Sequence, residues 1–226
     1  MISKLMRIIL DSYVGTIVLM VGILISSWLI AQKLSAFHLP GNHQGYQPEQ
    51  PIAFSHLTHA GELQIACLYC HYAAETSRHA GIPSVDVCMN CHRFVMATLG
   101  ALRVEDDKAK EENRDPNRIV SSEINKLYRS LGLNENLQPD PTLSPQSISW
   151  VKIHNLPDFV YFDHRVHVNI GISCQKCHGP VETMLRVKQE ESLAMGWCIN
   201  CHREANATGV EGKSVRASTD CSSCHY

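Results

Sequence analysis

The motif Cys-x-x-Cys-His occurs five times in this chain of 226 residues and uses all ten of its cysteines. The spacing is typical of c-type haem attachment, in which both thiols bond to the haem edge and the adjacent histidine ligates the iron. The sequence therefore predicts five covalently bound c-type haems. The predicted attachment cysteines are Cys67, Cys70, Cys88, Cys91, Cys174, Cys177, Cys198, Cys201, Cys221 and Cys224, and the predicted proximal ligands are His71, His92, His178, His202 and His225.

Two other interpretations of ten cysteines are zinc-binding hairpins and a disulfide framework in an exported protein. Neither requires a histidine after every cysteine pair. With 13 histidines in 226 residues, five independent pairs would all be followed by His about once in a million by chance, which favours haem attachment.

A second motif, FxHxxH, occurs twice, as FSHLTH and as FDHRVH, each upstream of a haem motif. Histidines three residues apart lie on one face of a helical turn but diverge by about 60°, so each can reach a different iron. We expect His56, His59, His164 and His167 to be distal ligands. The fifth distal ligand stays open between His79, His154, Met184 and Met195, and methionines in such positions more often fill a core.

Complete ligation of the irons indicates the class of function. A haem iron with two protein ligands has no vacant position for a substrate, so it relays electrons. We therefore predict an electron-transfer protein that is not an enzyme on its own and has no catalytic residues. The formal net charge of -2 gives no basic face for nucleic acid.

An apolar stretch at residues 14–30 contains no charged residue. Seventeen helical residues cover roughly 26 Å, close to the thickness of the bilayer core, so the segment can span a membrane. Lys4 and Arg7 precede it and only Lys33 follows closely, which favours a cytoplasmic N-terminus and an extracytoplasmic cytochrome domain. A cleaved signal peptide is the alternative.

The rest of the chain divides by composition and by the repeats. We expect a membrane anchor at 1–36, a linker at 37–51, a first two-haem unit at 52–102, an insert at 103–149 and a three-haem unit at 150–226. The insert has no His or Cys and contains a short amphipathic helix that Ser121 or Ser122 caps and Gly132 ends. It is either an interaction surface for another subunit or a loop that serves this chain alone.

The expected fold class is mostly α with little regular structure, combining one N-terminal transmembrane helix with a compact multihaem cytochrome c domain. Five porphyrins would form most of the core of so small a domain, with short helices around each attachment motif.

The FxHxxH element resembles that of class III multihaem cytochromes. The fuller pattern, with HAGIPSVDVCMNCHR, HNLPDFVYFDHRVH, CHGPVE and LAMGWCINCHR, resembles the pentahaem cytochrome subunit of alternative complex III, a bacterial quinol:electron acceptor oxidoreductase. The resemblance implies a single-pass protein of the cell membrane with its haems on the periplasmic face. It also implies as partners an iron-sulfur subunit, polytopic quinol-binding membrane subunits, a monohaem cytochrome, and a soluble acceptor or terminal oxidase of a respiratory or photosynthetic chain.

The main alternative is a stand-alone membrane-anchored quinol dehydrogenase of the tetrahaem type, which would need one incompletely ligated haem near the bilayer. A pentahaem nitrite reductase would carry Cys-x-x-Cys-Lys at one haem, whereas all five motifs here end in His.

Overall fold

The computed structural model describes residues 2–35 and 43–226, with the side chains of the first helix described at 13–31. Residue 36 of the expected anchor and residues 37–42 of the expected linker lie outside this range. The chain forms two compact units, Met1–Asn42 and His43–Tyr226.

The first unit contains one long helix, α1, at Ile2–Ser35. Its segment Tyr13–Ala31 has a mean hydropathy of 2.3, and none of it is buried by the rest of the protein. Leucine, isoleucine and valine on every side of a helix are typical of a segment that lipid surrounds. The prediction of one apolar helix long enough to cross a membrane is confirmed.

The second unit is built from short helices. The α-helices are α2 (Cys67–Cys70), α3 (Val85–His92), α4 (Leu99–Glu111), α5 (Ser122–Ser130), α6 (His164–Asn169), α7 (Gln175–His178) and α8 (Met195–Thr208), with a π-helical turn at Leu57–Glu62 and 3-10 turns at Tyr72–Glu75, Val181–Thr183 and Cys221–Ser223. Across the described residues, β pairing is limited to isolated bridges such as Val160 with His225. The expected fold class, mostly α with little regular structure, is confirmed.

The apolar core that the described side chains form is small. Its buried members are Ala74, Ala109, Leu127, Tyr128 and Met184. Such a core is too small to stabilise a unit of this size by burial of side chains alone, so the fold fits a protein whose interior contains large prosthetic groups.

The predicted amphipathic helix of the insert is confirmed as α5. Ser121 is its N-cap and accepts a hydrogen bond from the Ile124 amide at 3.3 Å, and the chain leaves the helix through Gly132 at φ +74°. The fully buried Tyr128 donates its hydroxyl to the carbonyl of His92 at 2.5 Å. Helix α5 therefore packs against its own chain, directly behind the second haem motif.

Residues 43–50, which composition assigned to a linker, make regular backbone contacts with the second unit. The Gly45 amide donates to the carbonyl of Gln189 at 2.7 Å, and the Gln189 amide donates to Tyr46 at 3.0 Å. The side chain of Gln50 pairs with both backbone groups of Val151, at 2.8 and 3.0 Å. Backbone pairing of this kind leaves no periodicity in the sequence.

Candidate haem-binding sites

The two FxHxxH elements adopt the same local geometry. In each, the phenylalanine stacks on the second histidine and meets the first edge-on, so the two imidazoles are held in different orientations. The ring centroids are 4.3 Å apart for Phe54 and His59, 4.9 Å for Phe54 and His56, 4.6 Å for Phe162 and His167, and 4.9 Å for Phe162 and His164. The repeat seen in the sequence is therefore also a repeat in structure.

Six of the histidines predicted as ligands direct Nδ1 at a backbone carbonyl. The pairs are His59 with Ser55 (2.8 Å), His71 with Gly81 (2.8 Å), His92 with Val95 (2.8 Å), His164 with Arg78 (2.9 Å), His167 with Asp163 (2.8 Å) and His202 with Ser218 (2.5 Å). A carbonyl oxygen can only accept, so Nδ1 carries the hydrogen and the lone pair resides on Nε2. This arrangement is typical of metal-bound histidines.

Three predicted proximal histidines face a predicted distal histidine. The ring centroids are 6.0 Å apart for His59 and His92, 6.4 Å for His164 and His178, and 6.1 Å for His167 and His202. Metal–nitrogen bonds of about 2 Å on opposite sides of one ion place two imidazole centroids roughly 6 Å apart. The three spacings therefore fit a metal held between each pair.

A fourth pair involves His56 and His71. Burial, then the neighbouring His71, and then His59 lower the pKa of His56 to about 4. Nδ1 of His56 is buried and has no hydrogen-bond partner among the described residues. His56 is thus held as a neutral imidazole beside the first haem motif.

His178 differs from the other predicted proximal ligands because its Nδ1 contacts a second imidazole. Nδ1 of His178 lies 3.1 Å from Nε2 of His154. Burial, and then the neighbouring His154 and His164, lower the pKa of His178 to about 4. Burial also lowers the pKa of His154. Both rings are therefore neutral near pH 7.

The thiols show how the five motifs are arranged in space. None of the ten cysteines is paired in a disulfide. Burial raises the pKa of five thiols, and a nearby thiol of another motif raises each of these pKa values further. The pairs, each with the shifted thiol first, are Cys70 with Cys91, Cys88 with Cys70, Cys174 with Cys67, Cys177 with Cys201, and Cys198 with Cys224. The motifs therefore neighbour one another in the order second, first, third, fourth and fifth.

The four candidates for the fifth distal ligand have different surroundings. His154 contacts His178, and His79 is exposed. Met184 is 6% exposed and Met195 is 65% exposed. His225, the predicted proximal ligand of the fifth haem, has a ring contact with Phe159, and the two ring centroids are 5.7 Å apart.

The alternative of a zinc site has no geometric support in residues 43–226. No group of three or more His, Cys, Asp or Glu side chains in the described parts of the chain converges as metal ligands would. A structural zinc ion needs four such ligands.

Arg78 is a supporting residue that the sequence did not indicate. Its carbonyl accepts hydrogen bonds from the amide and from Nδ1 of His164, at 3.1 and 2.9 Å. Its guanidinium lies 4.3 Å from the centre of the Tyr161 ring, and its Nε donates to the carbonyl of Phe162 at 3.2 Å. An arginine in a loop gives no periodic signal, so these links between the two halves could be found only in three dimensions.

Comparison with known proteins agrees with this geometry. Residues 160–226 match the family described as cytochrome c7 and related cytochrome c. The chain is similar to multihaem cytochromes c. It is 25% identical, over 199 aligned residues that cover 79% of this chain and 78% of the other, to the multihaem cytochrome c subunit of the menaquinone reductase of Nitratidesulfovibrio vulgaris. Cytochromes of this kind carry covalently bound c-type haem.

Proposed function

We propose that this chain is a pentahaem cytochrome c that relays electrons between a quinone-linked membrane complex and a further redox partner. The observation that carries the proposal is the set of facing imidazoles at 6.0 to 6.4 Å, each formed by one predicted proximal and one predicted distal histidine. When bound, haem supplies a one-electron iron couple. Each facing pair would hold an iron through two nitrogens and would leave no position on it for a substrate.

Three facing pairs, together with the proximity of His56 to His71, support a ligand assignment. The first haem takes His71 and His56, the second His92 and His59, the third His178 and His164, and the fourth His202 and His167. The fifth takes His225, with its second ligand still open between His79, Met184 and Met195, since His154 is already engaged with His178. Each FxHxxH element thus serves two neighbouring haems, and its first histidine belongs to the odd-numbered one.

The order of the motifs supports a single path for electrons. The path runs from the second haem through the first, third and fourth to the fifth, because the attachment thiols neighbour one another in that order. Its two ends are the natural places for partners. One end lies beside helix α5, and the other lies at the C-terminal motif.

The proposed setting is a complex of the alternative complex III type, in which quinol is oxidised by polytopic membrane subunits. An iron-sulfur subunit and a monohaem cytochrome complete the proposed complex, and a soluble acceptor or oxidase receives the electrons. Helix α1 would anchor the chain in the cell membrane, with its haems on the extracytoplasmic side. Mild-detergent purification should recover the iron-sulfur and polytopic subunits, whereas recovery of a lone oligomer would favour a stand-alone quinol dehydrogenase.

A second candidate is a relay that carries electrons in the opposite direction, toward menaquinone. The observation in its favour is the name of the relative, a menaquinone reductase subunit. The two directions can be separated in the purified complex by measuring quinol-dependent reduction of an acceptor cytochrome and menaquinone reduction by a reduced donor.

The central proposal is tested on the purified full chain. We expect five haems per chain, a low-spin spectrum, reduction by dithionite, and no reduction by quinol in the absence of partners. Fewer than five haems would contradict the assignment of the motifs. Rapid reduction by quinol alone would contradict the relay and support the dehydrogenase.

A further inference from the structure

One predicted proximal ligand has a side chain at Nδ1, where three of the others have a backbone carbonyl. Nδ1 of His71, His92 and His202 meets carbonyl oxygens at 2.5 to 2.8 Å. Nδ1 of His178 meets Nε2 of His154 at 3.1 Å, and the two rings cross at 79° with centroids 4.4 Å apart. This crossing lets the N–H of one ring point at the in-plane lone pair of the other.

The segment that carries His154 is held rigidly. The amide of the next residue, Asn155, donates to the side-chain oxygen of Gln189 at 3.0 Å. Gln189 is fully buried, and its side-chain nitrogen donates to the carbonyl of Glu191 at 2.9 Å. A buried amide with both ends paired fixes the backbone around it, because breaking either bond would leave a polar group without a partner.

The opposite side of His178 is already occupied. His164 faces it with ring centroids 6.4 Å apart and planes within 10°, and the Nδ1 of His164 is engaged by Arg78 at 2.9 Å. The third haem therefore has two candidate ligands without His154. Since Nδ1 of His178 is used, its Nε2 is the nitrogen available to iron.

We propose that His154 is a positioning residue for the third haem, which accepts the Nδ1 hydrogen of His178 and does not ligate iron. This inference rests on the proposed haem function. An acceptor on the far nitrogen fixes the plane of the ligand ring and makes the imidazole a stronger electron donor. A stronger donor stabilises oxidised iron and lowers the reduction potential of this haem relative to the same haem without the contact.

The test uses the full chain with its haems, in the variants His154→Ala and His154→Gln, with Lys152→Ala as a control on the same segment, where the lysine is exposed. His154→Ala should retain five attached haems and a low-spin spectrum. In its potentiometric titration, one of the five haems should become easier to reduce. The equilibrium constant for its reduction should rise about fivefold, the typical effect of one hydrogen bond. That is about 40 mV at 59 mV per tenfold for one electron. Glutamine offers an acceptor oxygen, so His154→Gln should recover part of the shift, and Lys152→Ala should show none.

Several outcomes would overturn the inference. A high-spin haem in His154→Ala would identify His154 as an axial ligand. An unchanged titration in both variants would show that the contact has no influence on the iron. Loss of haem from both variants would assign His154 to folding. A wild-type chain without covalent haem would refute the proposed function itself, and that result is separate because it precedes any comparison of variants.

Discussion

The hydrogen bond between Tyr128 and His92 offers a direct test of how the insert supports the second haem motif. Tyr128 is fully buried, and its hydroxyl donates to the His92 carbonyl at 2.5 Å. Burial raises the pKa of this hydroxyl, so it remains a donor. Tyr128→Phe keeps the ring and removes the hydroxyl, which leaves a half-buried carbonyl without this partner.

The expected cost is the desolvation of that carbonyl, about 1–3 kcal/mol. At 1.4 kcal/mol per tenfold, amide hydrogens that exchange through opening of α5 should exchange about 5- to 140-fold faster. Hydrogen exchange read by mass spectrometry on peptides covering α3 and α5 measures this effect. Peptides of α8 should not change.

Tyr72→Phe is the matched control, because Tyr72 is 62% exposed and water can replace any contact of its hydroxyl. Its effect should stay within about 0.5 kcal/mol. Equal exchange in the two variants would refute the argument that α5 holds the second motif through Tyr128.

Three further predictions concern other parts of the second unit. His59→Ala should convert one haem to high spin while all five stay attached, as read by absorption and by haem content. A hydrogen bond from Arg114, followed by one from a backbone amide, lowers the pKa of Glu105 to about 2. The resulting stabilisation is complete above the unfolded pKa of 4.5 and is lost as the pH falls through about 2. Glu105→Gln should therefore flatten the acid dependence of the unfolding midpoint in this range. Gly61→Ala should destabilise by about 1–3 kcal/mol, measured by denaturant unfolding, because the new methyl group would overlap the backbone carbonyl of Glu182.

Each of these predictions has a control on the same element or of the same chemical type. Thr58→Ala, on the same turn as His59, should leave the spectrum low-spin. Glu111→Gln, on the exposed face of α4, should keep the acid dependence of the wild type. Gly100→Ala adds a methyl group in open space and should be neutral or slightly stabilising. A high-spin signal in Thr58→Ala, a flattened profile in Glu111→Gln, or equal stability of the two alanine variants would contradict the respective argument.

The elements that sequence predicted well are those whose signal is local. Helix α1 follows from an uninterrupted apolar run, and α5 follows from the spacing of Leu127 and Tyr128 after a serine cap. The FxHxxH elements repeat in structure because a phenylalanine two residues before the first histidine stacks on the second in both copies. These interactions lie within one turn, so a single sequence contains them.

The contacts that sequence could not supply join distant parts of the chain. The carbonyl of Arg78 engages His164, and Gln189 holds the residue after His154. Both use backbone atoms, which leave no trace in residue type. The bonding of residues 45–50 to the segments near 151 and 189 was missed for the same reason, since glycine and glutamine there look like a flexible tether.

The carbonyl acceptors behind the predicted ligand histidines have a consequence for how such a protein can evolve. A main-chain oxygen persists whatever side chain a codon specifies, so six of the imidazoles keep their orientation through most point mutations. His178 differs from His71, His92 and His202 because its Nδ1 contacts the side chain of another residue, which a mutation can replace. In the proposed relay, natural variation at His154 alone would change the driving force of the middle step, while His71 and His202 would keep their carbonyl acceptors.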